Sequence, residues 1–265
     1  MRTTVIAEIG VNHGGSMGLA KTLIKKAQKA GADIAKFQLF NVDKRFPDKM
    51  VIAQGRNWYS EVQKAQLNKE QVFELAKYCK EIGIEFFASA ADTEGLSWLE
   101  EIGVKRHKIA SPHIRNTELI SAIAKTGKDI IVSLGLWENG RVLKEYSEFP
   151  GIKTTGKVDF LYCVSKYPAS LEDIKSLNQV DFTKYSGFSS HHPGIEPAVF
   201  AMARGARIVE VHFCLSRKIV TGPDITSSVE PKELLRLIKF ARVVEFRFNE
   251  EKIDDTSTSK KSNNR

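Results

Sequence analysis

The chain of 265 residues is 42% hydrophobic and carries a formal charge of +8, enough apolar content for one sizeable core and a surplus that suits an anionic partner. No apolar run reaches the length of a membrane span, the N-terminal run is broken by a charge and reads as a strand rather than a signal peptide, and the basic residues form no aromatic-interleaved stripe of the kind that binds nucleic acid. Three well-separated cysteines, Cys79, Cys163 and Cys214, lack a CxxC pair, which argues against a disulfide framework or zinc ribbon and for a reducing cytoplasm.

The first strand runs from Thr3 to Ile9. An amphipathic helix then starts near Ser16 and stops at Gly31, and a strand follows near 34–38. This rhythm of helix, glycine and short β-branched or aromatic strand returns at Ile82-Gly83, Ile102-Gly103, Thr126-Gly127, Thr155-Gly156 and Arg204-Gly205. Glycine just past a helix end supplies the left-handed turn that redirects the chain. The pattern predicts strands near 4–9, 34–38, 85–89, 106–109, 129–133, 159–163, 186–189 and 208–212. It predicts helices starting near Ser16, Asn68, Thr93, Asn116, Glu138, Leu171, Ile195 and Pro231. Eight β/α units in about 250 residues indicate a single-domain (β/α)8 TIM barrel over 1–249, since right-handed crossovers close such a sheet. A doubly wound open sheet is the alternative, and the absence of GxGxxG after the first strand counts against its dinucleotide-binding form. The long segment from Asn41 to Leu67, with Arg45, Arg56, Trp58 and Tyr59, has the length of a lid or substrate wall. From residue 250 to 265 the chain turns polar and reads as a disordered tail or the start of a linker.

In a barrel of parallel strands, the strand carboxyl ends converge on one mouth. There the sequence places Glu8, Lys36, Gln38, Ser89, Lys108, Ser111, Ser133, Ser165, Tyr167, Ser189, His191 and His212. Two lysines, several hydroxyls and an amide suit a small polyanion. The set also contains a carboxylate able to move a proton, and two histidines on adjacent units placed to share a divalent metal. Such a site fits a metal-assisted aldol or lyase reaction on a phosphorylated small molecule. It also fits a barrel that only binds a sugar acid.

Several motifs carry a more specific likeness. Ala7-Glu8-Ile9-Gly10-Val11-Asn12-His13-Gly14-Gly15, Lys36-Phe37-Gln38, Lys108-Ile109-Ala110-Ser111, Tyr167-Pro168, Gly187-Phe188-Ser189-Ser190-His191, Glu210-Val211-His212-Phe213 and Gly222-Pro223-Asp224 occur in this order. The ordered set resembles the sialic acid synthase (N-acetylneuraminate synthase) family over its barrel domain, without the C-terminal antifreeze-like domain. The resemblance implies a transferase that condenses phosphoenolpyruvate with an N-acyl amino sugar such as N-acetylmannosamine, giving a sialic acid-type 2-keto acid and phosphate. It implies His191 and His212 as ligands of Mn2+ or Mg2+ and Glu8 as the acid/base group. Lys36, Lys108, Ser111, Ser133 and Ser189 would hold phosphoenolpyruvate, with Gln38, Tyr167 and Asp224 near the sugar. It further implies a homodimer, or a separate chain supplying the missing domain and its sugar-binding arginine. The departures are Ser190, His192, Val211, Ser216 and Ile225, which replace other residues of the family's motifs, and Ser165, which stands where an Asn is common. Arg45 and Arg56 on the long loop are the candidates to compensate for the absent arginine.

Overall fold

In the computed structural model, which describes residues 2–136 and 152–258, a two-residue alternation of side chains builds the barrel from the inside. The strands, in chain order, are β1 (Thr4–Gly10), β2 (Ile34–Leu39), the short hairpin β3 (Ile52–Ala53) and β4 (Arg56–Asn57), then β5 (Glu85–Ala90), β6 (Arg106–Ile109), β7 (Asp129–Ser133), β8 (Val158–Cys163), β9 (Gly187–Ser190) and β10 (Ile208–His212). All but the hairpin form one closed parallel sheet in sequence order, with β10 pairing back onto β1 through Thr4↔Ile208 to Glu8↔His212. The barrel strands agree with those read from the sequence to within a residue at each end.

Inward-facing positions fall into layers. Ile6, Ile34, Phe87, Ile131, Leu161 and Ile208 form a separate buried cluster that plugs the amino-terminal end. Two residues further along the same strands stand Glu8, Lys36, Ser89, Ser133, Cys163 and Glu210. Alternation therefore turns an apolar floor into a polar ring within one step of the pleat. Gly187 shows how tight the wall is, because a Cβ there would stand 1.8 Å from the Ile208 carbonyl oxygen.

Outside the barrel pack α1 (Met17–Ala30), α4 (Lys69–Ile82), α5 (Thr93–Ile102), α6 (Thr117–Lys125), α7 (Glu196–Ala203) and α8 (Pro231–Thr258), with the short α2 (Val42–Arg45) and α3 (Tyr59–Lys64) in the long loop. Their starts follow from side-chain caps: Ser16, Asn68, Asp92 and Asn116 accept from backbone amides of their own first turns, and Asn68 with Gln71 completes a capping box. At the end of α1 the left-handed Gly31 (φ 91°) donates its amide to Ala27 and Gln28 carbonyls.

Two expectations need correction. The helix predicted near Leu171 is instead turns and a 3-10 segment at Lys175–Gln179. Ser170 and Asp173 hydrogen-bond each other's backbone and side chains there, and such local bonds compete with helix. The polar stretch after 249 is helical through Thr258 as a continuation of α8. Extending a nucleated helix costs little, because each added residue brings its own backbone hydrogen bond. Residues 259–265 and the helix predicted near Glu138 lie outside the described residues. No described helix is long and apolar enough to cross a membrane.

The long loop after β2 is folded, with its own buried cluster of Val11, Phe40, Val42, Trp58, Tyr59, Val62 and Ala65. Its hairpin reaches over the barrel mouth. The Gln54 side-chain amide donates to the Tyr167 and Pro223 carbonyls at 3.2 and 3.1 Å and to Thr226 Oγ1 at 3.3 Å, tying the tip to two opposite loops.

Candidate active site

The cavity at the carboxyl ends of the strands is lined by Glu8, Lys36, Gln38, Ser89, Lys108, Ser111, Ser133, Tyr167, Ser189, His191, His212 and Asp224, together with Arg45, His113, Cys163 and Glu210. Every sequence-predicted site residue except Ser165 therefore reaches it directly. Ser165 stands behind the wall and donates to Ser111 Oγ at 3.1 Å. Ser111 in turn accepts from the Leu136 amide at 2.6 Å.

At the cavity floor, four buried charges alternate in sign. Lys36 Nζ lies 2.8 Å from Glu8 and 3.1 Å from Glu210, and Lys108 Nζ lies 3.7 Å from Glu210. Lys108 also donates to Ser133 Oγ at 2.5 Å, and Ser189 donates to Glu210 at 3.0 Å. Gln38 Nε2 donates to Glu8 at 2.9 Å and spans to Asp224 at 3.5 Å. Burial penalises the Lys36 ammonium, yet the Glu210 and Glu8 carboxylates outweigh it and hold its pKa above the ordinary lysine value. Burial wins at Lys108, whose pKa is lowered despite Glu210. Burial also opposes ionisation of Glu210, but Lys108 and Lys36 bring it down to about 2. Glu210 belongs to the site and sequence reasoning gave it no role. Its signal was available: it lies two residues before His212 on one strand, so both side chains share a face.

Above this floor the rings of His191 and His212 stand 5.3 Å apart, centroid to centroid. Tyr167 covers His191 at 4.0 Å and meets His212 edge-on at 5.8 Å. His191 Nδ1 donates to the Val164 carbonyl at 2.6 Å, which leaves the Nε2 lone pair free. His212 Nδ1 is buried without a hydrogen-bond partner among the described residues, and the nearest acid, Asp224, is 3.7 Å away. Burial and neighbouring His212 push the His191 pKa down to about 3, so it is neutral at pH 7. A neutral His191 and, at His212, an orphaned buried ring nitrogen beside a carboxylate fit the donor preferences of a divalent ion. No group of three or more His, Cys, Asp or Glu side chains suited to a metal occurs among the described residues, so water or substrate oxygen would complete such a shell. His192 turns away and donates through Nδ1 to the Ala169 carbonyl at 2.8 Å.

The two loop arginines part company. Arg45 lines the cavity. Arg56 stacks on Trp58 at 3.7 Å and pairs with Glu61, outside it. Of the family departures, Ser216 bonds Glu230 away from the cavity and Ile225 is buried.

Two of the histidines make acid stability predictable. Burial lowers His13 to about 4, and His191 sits at about 3, against an ordinary value of 6.5. The unfolded chain therefore binds protons that the fold refuses. Stability is complete above pH 6.5 and falls as pH drops through the window down to about 3. Each group contributes a slope of up to ~1.4 kcal/mol per pH unit. Thermal unfolding of the metal-free protein should show a lower Tm at pH 5 than at pH 7.5. A Tm that is unchanged or higher at pH 5 contradicts the assignment.

The family model described as the NeuB family matches residues 23–252. The chain is 34% identical over 259 residues to the N,N'-diacetyllegionaminic acid synthase of Campylobacter jejuni, covering 92% of this chain and 77% of that protein. It is 31% identical over 253 residues to human N-acetylneuraminate-9-phosphate synthase, covering 91% and 70% of the two chains. The structure superposes on the N-acetylneuraminic acid synthetase of Leptospira borgpetersenii with a TM-score of 0.80 at 29% identity, covering 100% of this chain and 94% of that one. A truncated 3-deoxy-D-arabino-heptulosonate 7-phosphate synthase from Thermotoga maritima, 11% identical with a TM-score of 0.62 over 93% of this chain and 87% of that one, shares the barrel fold.

Proposed function

The chain belongs to the NeuB family and is a transferase of the sugar acid synthase type, and from that premise we propose that it condenses phosphoenolpyruvate with the open-chain aldehyde of an N-acyl amino sugar. The product is a sialic acid-type 2-keto acid, and phosphate is released. The observation that carries this reading is the buried floor of Lys36, Lys108, Glu8 and Glu210 beneath the His191–His212 pair. A buried, pre-formed arrangement of opposed charges suits a small trianion that must be bound and then broken.

In this proposal Lys36 and Lys108 bind the carboxylate and phosphate, and Ser111, Ser133 and Ser189 direct them through hydrogen bonds. His191 and His212 would hold a divalent ion, which would supply Lewis-acid polarisation of the acceptor carbonyl. The terminal carbon of phosphoenolpyruvate forms the new C–C bond to the aldehyde carbon. Water then adds at the carbon that bears phosphate, with Glu8 taking one of its protons and passing it to the alkoxide formed from the aldehyde oxygen. Collapse of that tetrahedral carbon breaks the C–O bond to phosphate and leaves the ketone. Gln38 keeps the Glu8 carboxylate oriented, while Tyr167 and Asp224 border the space left for the sugar. The expected site of action is the cytoplasm.

The test is phosphate release from phosphoenolpyruvate across a panel of N-acyl hexosamines with manganese. Phosphate and 2-keto acid should appear in equal amounts with at least one sugar. No release with any of them, or release without a keto acid, overturns the proposal. His191→Ala and His212→Ala should each abolish tight manganese binding by calorimetry, because a site with two protein ligands does not survive as one. His192→Ala should bind manganese normally. Undiminished binding in His212→Ala removes the pair from the site.

A further inference from the structure

We infer that Arg45 selects an acceptor sugar carrying an anionic group, a phosphate monoester or a carboxylate, at the end remote from its aldehyde. This rests on the reading above, in which an aldehyde acceptor shares the cavity with phosphoenolpyruvate. The starting point is a charge imbalance. On the floor, the two lysines already face two carboxylates, Glu8 and Glu210. At the outer wall, Arg45 lines the same cavity and makes no ion pair or side-chain hydrogen bond among the described residues. Other arginines of the fold behave differently: Arg106 pairs with Glu85, Arg217 with Glu233, and Arg242 with Glu245. Burial depresses the Arg45 pKa, and the nearest acid felt, Asp224, only partly offsets that penalty. A half-buried guanidinium without a carboxylate is costly unless a ligand supplies the anion.

Position decides which ligand that is. Phosphoenolpyruvate is accounted for at the floor, so the group that meets the outer wall belongs to whatever extends from the floor toward the mouth. The acceptor does so, because its aldehyde must lie beside phosphoenolpyruvate and its far end points outward. The Arg45 guanidinium carbon lies 5.4 Å from the Phe40 ring and 5.2 Å from the Phe46 ring. Aromatic contacts steady the guanidinium and leave its N–H edge as a bidentate donor for phosphate or carboxylate. The helix that carries it is anchored at its start: Val42 is buried in the loop's own cluster, and its amide donates to Gln66 Oε1 at 2.7 Å. His113 lines the same region, and burial together with Arg45 pushes its pKa down to about 4, so at neutral pH it adds an uncharged polar group.

The experiment compares N-acetylmannosamine, its 6-phosphate and the corresponding 6-carboxylate with the full chain loaded with manganese. Calorimetry without phosphoenolpyruvate reads binding alone, and phosphate release with it reads turnover. Wild type should favour one of the two anionic sugars over the neutral one by on the order of 10-fold in Kd and in KM, the scale of a charge-assisted bidentate contact. The phosphate and carboxylate arms identify which anion is preferred. Arg45→Ala should erase the preference and Arg45→Lys should keep part of it, with the KM for phosphoenolpyruvate unchanged in both. Equal or better binding of the neutral sugar overturns the inference, as does an Arg45→Ala protein whose defect is in phosphoenolpyruvate KM. Arg45-dependent binding of an anionic sugar without phosphate release leaves the inference standing and sinks the proposed reaction instead.

Discussion

Glu8→Gln is expected to turn over roughly 10²- to 10⁴-fold more slowly than wild type, the usual worth of a positioned acid/base group, while binding phosphoenolpyruvate almost normally. The substitution keeps shape and one of the two contacts. Gln38 Nε2 and Lys36 Nζ approach different oxygens of Glu8, at 2.9 and 2.8 Å. The single glutamine oxygen can therefore keep the Lys36 contact while the new amide nitrogen turns toward Gln38, whose own amide can rotate to present its oxygen. What is lost is the ability to take a proton from the attacking water. Lys36 retains Glu210 at 3.1 Å as a counter-charge, so its ammonium stays compensated and the floor stays assembled. Single-turnover phosphate release and equilibrium binding of phosphoenolpyruvate separate the two effects. A wild-type rate in Glu8→Gln removes Glu8 from the mechanism, whereas a large loss of binding reassigns it to the anion site.

Glu210→Ala should instead strike the fold itself. Glu210 is the shared partner of Lys36 and Lys108 and accepts from Ser189 at 3.0 Å, all within the buried floor. Removing one member of a buried ion cluster leaves charge without a partner, at a cost of about 3–5 kcal/mol. The depression of the Glu210 pKa by Lys108 and Lys36 points the same way, since the folded protein favours the carboxylate. For a chain of this size the loss corresponds to a fall in Tm of roughly 6–20 °C. Its pH dependence follows from the same shift. A carboxylate with a depressed pKa stabilises fully above its ordinary value of 4.5 and loses that contribution as pH falls toward about 2. Wild type and Glu210→Ala should therefore differ most near neutral pH and converge on acidification through that window. Scanning calorimetry at several pH values reads both features. Equal unfolding temperatures at pH 7 would show that Lys36 and Lys108 do not depend on Glu210.

The order of strands, the closed barrel and most of the residues that line the cavity are legible in the residues alone, for a definite reason. Alternation within each strand states which side chains face inward, as with Ile6 then Glu8, Ile34 then Lys36, and Ile208, Glu210 and His212. Closure of the sheet then brings every strand end to one mouth. Caps such as Asn68 with Gln71, and the left-handed Gly31, mark helix limits by chemistry confined to a single turn. Local rules of this kind need no knowledge of distant partners.

Tertiary structure decided everything that depends on what stands opposite. Glu210 became the hub of the floor only because β10 closes on β1, and β1 pairs with β2, across the barrel seam. Arg45 and Arg56 lie on one loop with similar surroundings in sequence, yet packing of Val42 and Trp58 into a small cluster put one in the cavity and the other outside. Ser165 was displaced to a supporting position behind Ser111. The Gln54 clasp joins segments more than a hundred residues apart in the chain. Periodicity specifies a face, whereas the identity of the neighbour on that face is fixed by strand order, register and loop packing, which are properties of the whole chain.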